Sequence, residues 1–251
     1  MNILIICGHG NGDVGAMSKI NGITRKEAAI VRNFAPILKQ ALIEKGNNVT
    51  IYNTDKNAYE ELKHNKKAID FSKYDSVIEL HCNSSSNKYY KTDGKNIGCE
   101  VYYPSLANGE NIKFLETLIY KVSLASGLKN RGVNVGHLLV INNAYSQGCK
   151  NAYLLELFFI NDIDDICLYK KHKHDIATAI SDCYSNKPFL IKIKSDNTPI
   201  YIDYKRNVKH STKVNKNEVF TIVETANYNG VVFGKLKSGI GYINLNSGVV
   251  I

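Results

Sequence analysis

Residues 2–10 read NILIICGHG. Five consecutive apolar side chains, Ile3 to Cys7, run straight into a glycine–histidine–glycine turn. An unbroken apolar run of this length suits a strand buried on both faces, which is the position of a central strand in a sheet covered by helices. The same pattern recurs at 49–53, 76–81, 99–103, 138–142 and 152–157. Between these runs, helical periodicity is expected over 25–45, 57–69, 109–126 and 162–184. The alternation predicts an α/β domain, with a central, mostly parallel sheet flanked by helices, over residues 1–186. In the first helix Val31, Phe34, Ala35, Leu38 and Leu42 share one face. Thr24 is the expected cap, Gly46 the expected stop, and Pro36 should kink the helix, because proline lacks the N–H of a helical hydrogen bond.

After Ser185-Asn186-Lys187-Pro188 the texture changes. FLIKIK, PIYID, EVFTIVE, GVVFGKL and GYINL are short and β-branched, with turn residues between them. Residues 187–251 are therefore expected to form a separate small all-β domain. From residue 189 onward the chain carries nine Lys/Arg against four Asp/Glu, so this segment is the more basic part per residue.

The 251 residues hold 44% hydrophobic and 22% charged side chains, enough for a packed core and unlike a disordered chain. A net charge of +9 favours a polyanionic partner. Trp is absent and no Lys/Arg run is interleaved with stacking aromatics, so nucleic acid is not the expected partner. No stretch approaches the ~18 apolar residues of a membrane span. The opening MNILIICGHG lacks the basic start of a signal peptide, so synthesis in a cytoplasm is expected, with release needed for any action outside. None of the six cysteines forms a CxxC pair; most sit in apolar runs and read as buried thiols.

Four polar residues interrupt these apolar runs. His9 follows the first strand, His81 ends the run SVIEL, Glu156 ends the run AYLL, and Glu27 lies at the start of the first helix. In an α/β sheet, functional groups gather at the carboxyl ends of strands. His9, Glu27 and His81 could therefore form a divalent-metal site with an open fourth position, as in hydrolytic zinc centres. Glu156, flanked by Leu155, Leu157, Phe158 and Phe159, could be the general base or acid that takes a proton from water and passes it to a departing amine. Each residue also has a plainer reading: a strand-end histidine as a hydrogen-bonded surface group, an early-helix glutamate as a dipole complement. Glu79, two residues before His81, should share its face, while Cys82 should point into the core.

Gly10-Asn11-Gly12-Asp13-Val14-Gly15 also satisfies GxGxxG. A dinucleotide loop would open directly into a helix, with an acidic residue about 20 positions on. Here SKINGIT intervenes, and the match carries little weight. His172 and His174 do not face each other on a helix and read as surface. His64 lies in an exposed basic stretch, and His137 is expected to begin a strand.

GHGNGDVGA, RKEAAIV, ELHCNSS, GCEVYYPS and LLELFFINDIDD, in this order, resemble the zinc-dependent N-acetylmuramoyl-L-alanine amidases of the type 3 class, clostridial phage endolysins among them. The resemblance covers residues 1 to about 185. It implies that His9, Glu27 and His81 bind one zinc ion, that Glu156 acts in catalysis, and that Asn83 of the HxN motif organises the adjacent loop or touches substrate. Three positions depart from the pattern: Asn11 replaces a glycine, Val14 a proline and Glu79 a serine. Residues 189–251 resemble a bacterial SH3-like domain, with Phe233 and Tyr242 where tryptophans are common, which implies cell-wall binding.

Together these features lead to the expectation of a peptidoglycan hydrolase that cuts the amide between N-acetylmuramic acid and L-alanine, with peptidoglycan and wall-associated anionic polymers as partners. A phage endolysin made in the host cytoplasm, without a signal peptide, fits best. A zinc peptidase cutting within the stem peptide, and a non-catalytic wall-binding protein, are the competing readings.

Overall fold

The computed structural model describes residues 1–86, 92–184, 188–228 and 231–251. The chain divides into two compact units, Met1–Tyr184 and Ser185–Ile251. The expected junction at Ser185-Asn186-Lys187 lies outside the described residues.

In chain order the first unit contains β1 (Asn2–Cys7), β2 (Met17–Ile20), β3 (Ile23–Lys26), α1 (Glu27–Glu44), β4 (Asn48–Ile51), α2 (Ala58–His64), β5 (Ser76–Asn83), β6 (Cys99–Pro104), α3 (Ile112–Ser126), β7 (Asn130–Gly136), α4 (Leu139–Ser146), β8 (Asn151–Phe159) and α5 (Ile163–Ser181). Six strands form the central sheet in the order β4-β1-β5-β8-β6-β7.

β1 shows why its sequence reads as it does. Ile3, Ile5 and Cys7 pack into one core layer with α1, α3 and α5. Leu4 and Ile6 pack into a second layer with α2 and α4. Both faces are dry, so both alternating sets must be apolar. The layer under the three long helices holds Phe34, Leu38 and Leu42 of α1, all fully buried. Truncating Phe34 to alanine there costs about 3–5 kcal/mol. The other face is covered only by α2 and α4, of 7 and 8 residues. This thin cover leaves the carboxyl end of the sheet open on one side.

The sheet is mostly parallel, as expected: β4, β1, β5 and β8 are parallel and β7 is parallel to β6, while β6 runs antiparallel to β8 and makes the sheet mixed. A parallel neighbour needs a crossover that carries the chain back along the sheet. β6 instead starts beside the end of β8, with Glu100 opposite Glu156, and runs the other way. The run at 138–142 is the start of α4 rather than a strand. A short apolar run does not distinguish the two, and burial of Val140, Ile141 and Ala144 against the sheet decides it. β7, with two glycines and mostly exposed or half-buried side chains, escaped sequence reading.

α1 begins at Glu27, and Thr24 lies in β3 instead of capping it. β2 and β3 form a hairpin whose Asn21-Gly22 turn has φ of 53° and 76°, the left-handed pair that an Asn-Gly hairpin turn requires. That hairpin delivers the chain to α1, and the amides of Glu27 and Ala28 are satisfied by the carbonyls of Ala16 and Val14. Gly46, at φ 84°, closes the helix end as expected, donating to the Ile43 carbonyl.

The second unit is all β: β9 (Phe189–Ile193), β10 (Thr198–Asp203), β11 (Val208–Val214), β12 (Val219–Tyr228), β13 (Val231–Leu236), β14 (Tyr242–Asn244) and β15 (Gly248–Val250). They form one sheet in the order β11-β10-β14-β13-β12-β9-β15. Its core is aliphatic, built on Ile191, Ile200, Ile222, Leu236 and Ile243. Outside that core Tyr204 stacks on Phe233 at 4.9 Å and meets Tyr242 edge-on at 4.9 Å. No helix among the described residues is long and apolar enough to cross a membrane.

Candidate metal centre

Strand alternation puts Ile78, Leu80 and Cys82 of β5 into the layer under the long helices. Glu79 and His81 consequently face the thinly covered side. On β8, Tyr153, Leu155 and Leu157 take the first layer, so Glu156 faces the same side as His81. His9 follows β1, and Glu27 is the first residue of α1.

His9, Glu27 and His81 each present a ligand atom within 4.8 Å of the others. His9 Nε2 lies 3.1 Å from Glu27 Oε2, and His81 Nδ1 lies 2.8 Å from Glu27 Oε1. The buried Glu27 carboxylate is fixed from behind by the Ala16 and Cys82 amides, at 2.8 and 2.9 Å. Burial alone would raise the Glu27 pKa; hydrogen bonds from His81 and His9 outweigh it and hold the carboxyl well below its usual range. His9 is correspondingly raised, first by its bond to Glu27. For His81, burial opposes the charged form, but Glu27 and Glu79 together carry it well above 6.5.

The shape of the loop is equally specific. His9 sits at φ 63°, a left-handed conformation that a non-glycine residue adopts only where its surroundings hold it. Arg32 supplies that hold: its guanidinium donates to the Gly8 carbonyl at 3.1 Å and to the His9 carbonyl at 2.9 Å. Asp13 Oδ2 meets His9 Nδ1 at 2.7 Å, which leaves Nε2 directed at Glu27. Asn11 is at φ 49°, so asparagine fits where the family pattern has glycine. A Cβ on Gly8 would overlap the His81 ring, and one on Gly15 would come 2.6 Å from Glu27 Oε2.

Two imidazoles and one carboxylate converging on one point, each oriented by a further hydrogen bond, fit a divalent metal ion. Glu156 is half-buried, and its Oε2 is buried without a hydrogen-bond partner among the described residues. Burial pushes its carboxyl up to about 7, with His81 opposing and Glu27, Glu100 and Glu79 adding to the rise. Beside it Glu100 is buried and accepts from Asn83 Nδ2 at 2.6 Å and Asn134 Nδ2 at 3.0 Å.

The four residues singled out for the site thus stand on one rim, with Asn83 held to Glu100 beside them. Asp13, Arg32 and Glu100 were not anticipated. Asp13 carried a readable signal, a carboxylate four residues after a candidate ligand; the other two depend on tertiary packing. Glu79 Oε1 lies 3.4 Å from His81 Nε2, on the shared face expected for it. Two further histidines stand apart: His172 pairs with Asp175 at 2.8 Å, and His64 lies 3.8 Å from Glu60. His137 lines the same cleft as His9 and His81; it precedes α4 and does not begin a strand.

Residues 3–185 match the family described as N-acetylmuramoyl-L-alanine amidase. The chain belongs to that family. This amidase is also 27% identical to the endolysin of Bacillus phage SPP1, over 93% of its own length and 92% of the relative. Among solved structures, the catalytic domain of the CD27L endolysin targeting Clostridia difficile matches 73% of this chain and 96% of its own, with a TM-score of 0.55 and 25% identity. The catalytic domain of CwlV, an amidase from Bacillus (Paenibacillus) polymyxa var. colistinus, matches at 24% identity, a TM-score of 0.56 and 73% and 96% coverage, and shares the fold. The protein is a peptidoglycan hydrolase acting on the bond between N-acetylmuramic acid and L-alanine.

Proposed function

We propose that this amidase is a zinc enzyme and a phage endolysin, with His9, Glu27 and His81 as the zinc ligands and Glu156 as the catalytic acid–base. The observation that carries the reading is the convergence of those three ligands, with Glu156 opposite His81 on the neighbouring strand. Zinc held there would polarise the scissile carbonyl and acidify the attacking water. Glu156 takes the proton from that water and returns it to the leaving alanine nitrogen. A carboxyl raised to about 7 suits both transfers, since it changes state near neutral pH. Asp13 fixes the tautomer and tilt of His9, and Glu79 approaches the second nitrogen of His81. Asn83, tied to Glu100, holds the loop after β5 and faces the substrate.

The basic residues of the second unit and its Tyr204–Phe233–Tyr242 cluster support a wall-binding, SH3-like role for residues 187–251. The relation to a phage endolysin supports synthesis in the host cytoplasm and action on the wall after release.

Metal analysis together with mass spectrometry of digested peptidoglycan tests the proposal. The expected result is about one zinc per chain, loss of lysis on chelation and recovery with zinc. Digestion should expose a free L-alanine amine and leave the glycan intact. A cut farther along the stem peptide, or full activity in excess chelator, overturns it.

A further inference from the structure

The cleft at the metal centre continues along the sheet face. It encloses about 600 Å³. Its floor is a row across three strands, Ile6, Glu79 and Leu154, which stand opposite one another in register. One wall is α2 and the turn after it, presenting Tyr59, Lys63 and Lys66; the other is the start of α4. Lys66 also borders a second hollow of about 430 Å³ with Lys67, Asp70 and Asn143.

The charges along this path are graded. Near the centre, Asp13 Oδ2 lies 2.7 Å from His9 Nδ1 and Glu79 Oε1 lies 3.4 Å from His81 Nε2, while Glu79 Oε2 is buried without a hydrogen-bond partner among the described residues. Farther along, the lining adds Lys63, Lys66 and His137, with Glu60 as its carboxylate. Glu60 Oε2 already lies 3.8 Å from both Lys63 Nζ and His64 Nε2. Lys66 Nζ forms no ion pair among the described residues. Lys63 Nζ is held 5.9 Å over the exposed Tyr59 ring, an arrangement that keeps an ammonium at the cleft mouth.

We infer that Tyr59, Lys63 and Lys66 form a subsite for a carboxylate of the peptide on the amine side of the scissile bond, so that the enzyme prefers stem peptides with a free carboxylate over the same peptides carrying a carboxamide. The inference rests on the amidase reading. Lys63 and Lys66 line the same cleft as the Ile6–Glu79–Leu154 floor, so a peptide lying in that cleft is within the lysines' surroundings. Both lysines reach from solvent, so the preference is modest and weakens with salt.

The test separates binding from turnover. Full-length, zinc-loaded Glu156→Gln protein is titrated calorimetrically with two synthetic muramyl peptides that differ only in a free carboxylate or carboxamide on the second residue. The expected result is about three- to tenfold tighter binding of the acid, falling towards parity in high salt. Adding Lys63→Met and Lys66→Met should erase the preference with zinc content unchanged, while Lys63→Arg and Lys66→Arg should keep it. Equal affinity for the two peptides, or a preference that survives the methionine substitutions, overturns the inference. Cleavage of the same peptides by the unsubstituted enzyme reports separately on the amidase reading.

Discussion

His81 and Glu156 stand directly opposite each other on adjacent parallel strands, and Glu100 stands opposite Glu156 on the next strand. Neighbouring strands are only about 4.8 Å apart. The Glu156 carboxyl is thereby held beside His81 by backbone pairing between strands.

That pairing leads to a rate prediction. Glu156→Gln should keep fold and zinc but lose about 10²–10⁴-fold in kcat. Proton abstraction needs the carboxylate, so kcat/KM of the parent should rise with pH along an acid limb. Its midpoint should lie no higher than about 7, since a bound dication lowers the carboxyl further. The substituted enzyme should lack this limb. Near-parent turnover would move the role to another carboxylate, Glu79 first.

The same carboxyl makes a stability prediction for zinc-stripped protein. Its pKa is raised from 4.5 to about 7 on folding. Below the lower value both states are protonated and there is no penalty; above the higher one the folded state carries the whole cost. Glu156→Gln should therefore match the parent near pH 4 and exceed it by about 1–3 kcal/mol above pH 7. Denaturant melts at the two pH values check this, and an equal gain at both would contradict it.

Asp13→Ala should weaken zinc binding by about 10–100-fold, the usual cost of removing the group that orients a ligating imidazole. Competition with a chromogenic chelator measures it. Unchanged affinity would mean that Arg32 and the backbone alone aim the His9 ring.

Gly15→Ala should damage the centre without touching a ligand. The added methyl meets Glu27 Oε2 and the His9 ring, and the backbone is at φ 66°. Loss of zinc with near-parent circular dichroism is the expected result. Full zinc occupancy would show that the loop yields.

Residues 1–186 alone should fold, bind zinc and cleave soluble muropeptides near the full-length rate, because Met1–Tyr184 is a compact unit with its own core. On intact cells the truncated enzyme should be slower, since tethering raises local concentration. The 189–251 fragment should pellet with cell walls at low salt. A fragment that stays in the supernatant would reassign it to stabilisation.

The layers and the placing of the four candidate site residues on one rim were legible because each rests on local pattern. Ile3–Cys7 reads as a two-sided strand from its own side chains, and His9, His81 and Glu156 stand out as polar residues ending such runs. What escaped depends on partners distant in sequence. The direction of β6 is set by where the chain re-enters beside β8. α4 is a helix because the sheet buries Val140 and Ile141, which the sequence HLLVIN does not announce. Arg32 matters through two carbonyls more than 20 residues away. The Asn21-Gly22 hairpin was readable, but the anticipated helix start at residue 25 obscured it.

The chain leaving β5 and the chain entering β6 are both pinned just beyond the end of β8. Ser85 exchanges hydrogen bonds with the Asn161 carboxamide, its amide donating at 3.1 Å and its carbonyl accepting at 2.7 Å. The amides of Ile97 and Gly98 donate to the buried carboxylate of Asp165. Both posts are side chains of the short segment after β8, so Asn161 and Asp165 together fix where β5 ends and where β6 begins, and with them the places of His81, Asn83 and Glu100.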